Sequence, residues 1–283
     1  MIDYHIHLEA GPFSMEWLEE FWNSGRNRGI SEIGIAEHSH RFIQFRKIFH
    51  HLAVGQDSYQ FMRDWMDQEF KHDLDEYVDF VLAARKKGIP VKLGLEVDYL
   101  LGQEEAIRTI LGSYPFDYVI GSVHVIGKWG FDYDKDCGWE GRNIDTVYEE
   151  YYNLVKAAAQ SRLFDIIGHL DVIKVFGARP SAENLELIKE VLNAIKDNGL
   201  AIEINTAGLR KPVGEIYPSE ALLKEIAAIQ IPITISSDAH RPDDVGYEWE
   251  KAVTLARKYG YREYRIFSGR KSTAEKLPRL SSD

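Results

Sequence analysis

The chain has 283 residues, 45% of them hydrophobic and 28% charged, which supplies a sizeable core and excludes intrinsic disorder. Its 34 Lys and Arg stand against 45 Asp and Glu, a net charge of −11, which argues against a broad nucleic-acid footprint of clustered basic residues. An anionic small substrate stays open, because bound metal ions reverse the sign of a local field.

In chain order, residues 2–5 form the first short β-rich run, and it leads into His5 and His7. A second run over 32–37 is followed by His38. Residues 40–70 are aromatic and mixed in charge with weak periodicity, and read as a long insert or lid. Leu74, Val78, Val81 and Leu82 then share one helix face, and Gly88 with Pro90 stops that helix. Runs over 91–97 and 117–123 carry Glu96 and lead into His124, and a run over 164–168 leads into His169. Leu185, Ile188, Leu192 and Ile195 define another helix face, with Ser181 as the expected N-cap and Gly199 at C′. Runs over 201–205 and 233–237 end the series, closed by Glu203 and Asn205 and by Asp238 and His240. A weak run over 263–267 is a candidate eighth strand.

The runs alternate poorly, as strands buried on both faces of a parallel sheet do. Strand–helix alternation of this kind implies a parallel sheet, open or closed into a barrel. No linker, repeat or low-complexity tract interrupts it, so one domain over 1–283 is expected. The single cysteine, Cys137, cannot form an internal disulfide and suits a reducing compartment. No apolar stretch approaches the ~18 residues of a membrane helix, and no signal peptide is visible, so a cytoplasmic protein without membrane or nucleic-acid partners is expected. No motif fixes an oligomeric state.

An imidazole or carboxylate stands at the C-terminal end of every run in the series, where α/β folds build active sites. Residues i and i+2 of a strand point the same way. His5 and His7 can therefore grip one ion, and Asp238 and His240 another side of it. His5, His7, Glu96, His124, His169, Asp238, His240 and His38 are the candidate ligands, with Glu9 as a weaker one. This set exceeds what one tetrahedral ion needs, so two or three divalent ions are expected, drawn from Zn, Fe or Mn. Ions ~3.5–4 Å apart generate hydroxide at neutral pH and stabilise phosphoryl displacement. His40, His50, His51 and His72 read as solvated surface residues. Glu203 either orients a ligand from behind or braces the barrel. No GxxxxGK[ST] loop is present, so P-loop chemistry is unsupported.

Asp3-Tyr4-His5-Ile6-His7, Glu37-His38, Gly94-Leu95-Glu96, Gly121-Ser122-Val123-His124, Gly168-His169 and Asp238-Ala239-His240 resemble the ordered motifs of the PHP (polymerase and histidinol phosphatase) superfamily. The stretches 121–133 (GSVHVIGKWGFDY), 164–177 (FDIIGHLDVIKVFG) and 203–219 (EINTAGLRKPVGEIYPS) resemble its histidinol-phosphate phosphatase branch. The resemblance implies a distorted (β/α)7 barrel with a trinuclear metal centre. It implies His5, His7, Glu96 and Asp238 at a first metal, Glu96, His124 and His169 at a second, and His38 and His240 at a third. Many relatives carry a further histidine after the first motif. Residues 8–20 contain none, so the third site uses Glu9, binds weakly or is vacant.

The resemblance also implies that the loop of Arg210 and Lys211 faces a phosphoryl group, with Lys174 a second basic candidate. An Arg fork matches phosphate oxygens. His240 or His38 would protonate the leaving group. The implied activity is phosphomonoester hydrolysis of L-histidinol phosphate by a metal-activated hydroxide, in histidine biosynthesis. Another phosphatase or phosphodiesterase of the superfamily, such as a phosphotyrosine phosphatase, is the alternative. A non-catalytic metal-binding module is a more distant one.

Overall fold

In the computed structural model, which describes residues 1–136, 138–182 and 184–280, short parallel strands form a ring. Cys137 lies outside the described residues. Ile2–Ile6, Glu32–Ile35 and Val91–Leu93 pair in that order. Glu96–Asp98, Ile120–Ser122, Ile166–Ile167, Ala201–Asn205 and Ile233–Ser236 follow as one parallel sheet. Ala239 closes the ring against the first strand, donating to His5 O at 3.0 Å and accepting from His7 N at 2.8 Å. The expected run 91–97 is a strand broken at Gly94-Leu95, and it stays in register because Gly94 N and Glu96 N donate to Ile35 O and Glu37 O. The first strand is buried along its whole length, which is why its sequence does not alternate.

The end of the barrel where the strands begin is filled by aromatics. Tyr4 and Tyr118 stack with centroids 5.0 Å apart, and Tyr118 Oη donates to Tyr4 O. The neighbouring strands make room with glycine: a Cβ at Gly34 would stand 2.2 Å from Tyr118 Oη, and one at Gly94 2.3 Å from Tyr118 Cζ. That packing leaves the opposite, C-terminal end for polar groups.

Three expectations need correction. The run at 263–267 is no barrel strand: Glu263–Ser268 pairs antiparallel with Lys271–Lys276, and Arg270 fastens this hairpin to Asp165. Its second strand is exposed throughout, whereas a barrel strand must bury both faces. Ser181 is not the cap of helix Leu185–Asp197; Asn184 is, accepting from Leu187 N, while Ser181 donates to Asp145 through both its N and Oγ. Leu185 is consequently exposed at the first helical position, and the buried face runs through Ile188, Val191, Leu192 and Ile195. Gly199 does take the left-handed conformation expected after the helix, at φ 69°.

Residues 46–68 are more ordered than their weak periodicity implied. Helices Arg46–Ala53 and Gln60–Gln68 bury Ile48, Phe49, Leu52, Met62 and Met66, forming a shoulder beside the C-terminal end of the barrel. Among the described residues no helix is long and apolar enough to cross a membrane.

Candidate metal centre

His5 and His7 leave the first strand on one side, as their spacing requires. Their Nε2 atoms meet Asp238 Oδ1 at 3.9 and 3.4 Å and Glu96 Oε2 at 3.4 and 3.7 Å. Three groups of ligand atoms converge: His5, His7 and Asp238; His5, Glu96 and His169; and His7, His38 and His240. Within each group the candidate atoms lie within 4.8 Å of one another. His124 joins the second group, its Nε2 lying 3.3 Å from His169 Nε2 and 3.7 Å from Glu96 Oε1. Glu9 joins the third, 3.3 Å from His240 Nε2 and 3.9 Å from His38 Nε2. All nine expected ligands thus meet at one end of the barrel. The geometry departs from the implied assignment in one respect: His5 belongs to two of the groups and His7 to two.

Polar atoms behind these side chains aim them. Glu203 is fully buried and uses both oxygens: Oε1 meets His5 Nδ1 at 2.7 Å and Ser236 Oγ, while Oε2 accepts from His169 N and Asn205 Nδ2. It therefore turns His5 Nε2 toward Glu96 and Asp238. Asp98 does the same for His124, with Oδ1 2.6 Å from Nδ1. Ser122 Oγ donates to Glu96 Oε1 at 2.6 Å, and Asn205 Nδ2 donates to Asp238 Oδ2 at 3.2 Å. Asp238 itself is left-handed, at φ 52°, a conformation that aspartate tolerates better than most residues. Arg210 Nη2 holds that turn by donating to Ser237 O and Asp238 O.

The electrostatics suit cations. Burial would raise the pKa of Glu96, but the imidazoles of His5 and His38 outweigh it and hold the carboxyl well below its ordinary value. Asp238 is held low in the same way by His5 and His7. Burial, with His38 and His240 adding to it, keeps the His7 pKa low, so its imidazole stays neutral. His5 Nε2 and His7 Nε2 are buried and have no hydrogen-bond partner among the described residues. Unpaired polar atoms cost free energy in such a place unless something binds them. Imidazole nitrogens without partners, set among ionised carboxylates, fit divalent metal ions.

Several residues stand elsewhere than their sequence context implied. His40 is no surface residue. Its ring stacks on His38 with centroids 4.6 Å apart, and its Nδ1 lies 3.3 Å from Asp98 Oδ2. The period-two repeat of His38 and His40, matching His5 and His7, was the available signal. His72 is paired with Arg41, while His50 is exposed. Lys174 is not free for phosphate: its side chain is 1% exposed and its ammonium is taken up by Asp171, Glu215 and Ile216 O at 2.9, 3.1 and 3.0 Å. Lys211 is exposed at the end of the turn Ala207–Arg210. Arg210 is close to the centre, with Nη1 buried and without a hydrogen-bond partner among the described residues.

A cleft of about 330 Å³ opens beside the histidines. Phe49, Met62 and Trp65 from the helical shoulder form one wall, and Glu9, Asp98 and Asp132 bring carboxylates. Neither the shoulder's contribution nor Asp132 was legible in the sequence, since no spacing links residue 65 to residue 132.

The PHP domain family model matches residues 3–207. A "probable histidinol-phosphatase" of Deinococcus radiodurans is 40% identical over 208 residues, 71% of this chain and 79% of that protein. The histidinol-phosphatase of Bacillus subtilis is 30% identical over 275 residues, 88% of this chain and 96% of that protein. Among solved structures, histidinol phosphate phosphatase from Lactococcus lactis, complexed with zinc, L-histidinol and phosphate, matches with a TM-score of 0.73 and 27% identity, covering 96% of this chain and 98% of that one.

Proposed function

The chain belongs to the PHP domain family, in its histidinol-phosphatase branch, and from that premise we propose that it hydrolyses L-histidinol phosphate to L-histidinol and inorganic phosphate. The observation that carries the reading is the convergence of three ligand groups on Glu96 and the His5/His7 pair at the C-terminal end of the barrel. We assign His5, His7, Glu96 and Asp238 to one ion and Glu96, His124 and His169 to a second; His38, His240 and Glu9 would hold a third where one binds, so the centre takes two or three ions. Zinc is the first to test, with iron and manganese suited to the same donors. Divalent ions bound there supply positive charge for the phosphoryl oxygens and acidify water for in-line attack.

The chain's own residues do the rest. Glu203 and Asp98 fix the orientation and tautomer of His5 and His124. Arg210 holds the Asp238 turn with Nη2 and keeps Nη1 for a phosphate oxygen. The cleft accommodates the other end of the substrate. Trp65 and Phe49 offer faces to an imidazole, and Asp132 and Glu9 offer negative charge to an ammonium.

Phosphate release from L-histidinol phosphate, phosphotyrosine and a phosphodiester by metal-replete enzyme tests the reading. A kcat/KM preference for L-histidinol phosphate of ~10³ or more, about 4 kcal/mol of discrimination, is expected. A flat profile would leave a metal phosphoesterase with another substrate. A separate expectation concerns Glu203→Gln. It should weaken metal affinity and lower turnover by roughly 10–100-fold, read by titrating zinc into chelator-treated protein. Unchanged affinity would reduce Glu203 to a brace of the barrel.

A further inference from the structure

Tyr217 is 1% exposed, and its hydroxyl is a buried polar atom without a hydrogen-bond partner among the described residues. Buried hydroxyls are nearly always paired, so such a group beside a metal centre marks a place where something else binds. Its position is fixed by the backbone. Asn205 N donates to Tyr217 O at 2.6 Å, and Tyr217 N donates to Asn205 O at 2.9 Å. Tyr217 is thereby fastened to the end of the strand whose Glu203 and Asn205 hold His5, His169 and Asp238.

The ring meets His169 edge-on, with centroids 6.3 Å apart. Gly208 makes room for it: a Cβ there would stand 2.9 Å from Tyr217 Cε2 and 3.0 Å from Cζ. A phenol, with an ordinary pKa of ~10, carries its proton at neutral pH and can donate. A second donor of the same segment, Arg210 Nη1, is also buried and unpaired, while Arg210 Nη2 holds Asp238 O. One orphaned donor stands on the residue that holds Asp238 and the other on the ring that meets His169, and what both lack is an acceptor. An anion with several oxygens supplies that.

We propose that the Tyr217 hydroxyl donates a hydrogen bond to a non-bridging phosphoryl oxygen of the substrate, which makes it a further catalytic residue beside the metal ligands. The inference rests on the phosphomonoesterase reading given above. A neutral donor held in place at oxygens that gather charge in the transition state accelerates the reaction without reorganising.

Tyr217→Phe keeps the ring against His169 and removes only the oxygen. The expected result is a fall of about 10²-fold in kcat/KM for both L-histidinol phosphate and p-nitrophenyl phosphate. Bound metal per chain should be unchanged. The Tm of the metal-free protein should not drop, because the deleted group was unpaired. Calorimetry should show inorganic phosphate binding the zinc-loaded variant about tenfold more weakly. Turnover and phosphate affinity within twofold of the unsubstituted protein would overturn the proposal. So would a loss of activity that tracks lost metal or a lower metal-free Tm, since the hydroxyl would then be structural. A starting protein that binds phosphate yet hydrolyses neither ester would defeat the phosphatase reading, and the two phosphate affinities would still decide the role of Tyr217.

Discussion

Glu96→Gln is expected to lower kcat/KM for L-histidinol phosphate by on the order of 10³ or more, and to lower the metal bound per chain. Glu96 is the carboxylate at the middle of the centre. Oε2 lies 3.4 Å from His5 Nε2, 3.7 Å from His7 Nε2 and 2.7 Å from His38 Nδ1, and Oε1 lies 3.0 Å from His169 Nε2. Glutamine keeps the length of the side chain but removes its charge, and offers an amide N–H to one of those nitrogens. On the assignment above, two ions would each lose an anionic ligand. Metal analysis of the purified variant beside a phosphate-release assay checks this. Full metal content with near-normal turnover would remove Glu96 from the centre. A fall in turnover with metal retained would assign it to substrate rather than to metal.

Metal removal is expected to abolish turnover and to destabilise the fold. Without a cation, the end of the barrel holds His5 Nε2 and His7 Nε2 buried and unpaired. Whatever binds the native state alone stabilises it by mass action, about 2.7 kcal/mol at a free metal concentration 100 times Kd and about 4.1 at 1,000 times. For a chain of this size that amounts to a Tm shift of ~5 °C or more. Dialysis against a chelator, then thermal melting and phosphate release before and after adding back zinc, manganese or iron, measures both effects. The ion that restores turnover at the lowest concentration identifies the preferred metal. Unchanged melting and turnover after verified removal would contradict a catalytic metal centre.

The sequence and the tertiary structure divide the account of this site unevenly. The order of strands was legible because strands buried on both faces write themselves as short unbroken apolar runs, and the first strand is buried at every position. Their limits were less legible. The run at 164–168 shortens to Ile166–Ile167, since strand length depends on where the neighbours run out of partners. The C-terminal run is β-rich in composition, as a barrel strand would be, but what pairs with Glu263–Ser268 is the local hairpin partner Lys271–Lys276. Lys174 looked like a phosphate ligand from its place five residues after His169. Only the fold brings Glu215 from 41 residues away to occupy it.

What the amino-acid sequence determined by itself was the chemical inventory and its direction. Histidines and carboxylates at strand ends, and the i, i+2 spacing of His5 and His7, send ligand atoms to one end of a parallel sheet, because side chains of a strand alternate with period two. Tertiary structure decided which of those atoms converge, and it brought in His40, Asp98, Asp132, Trp65 and Tyr217. Closing the ring at Ala239 places residue 238 against residues 5 and 7. Contacts across so many residues of chain depend on how the barrel twists and closes, and that is set by the packing of all the strands together and not by any local pattern.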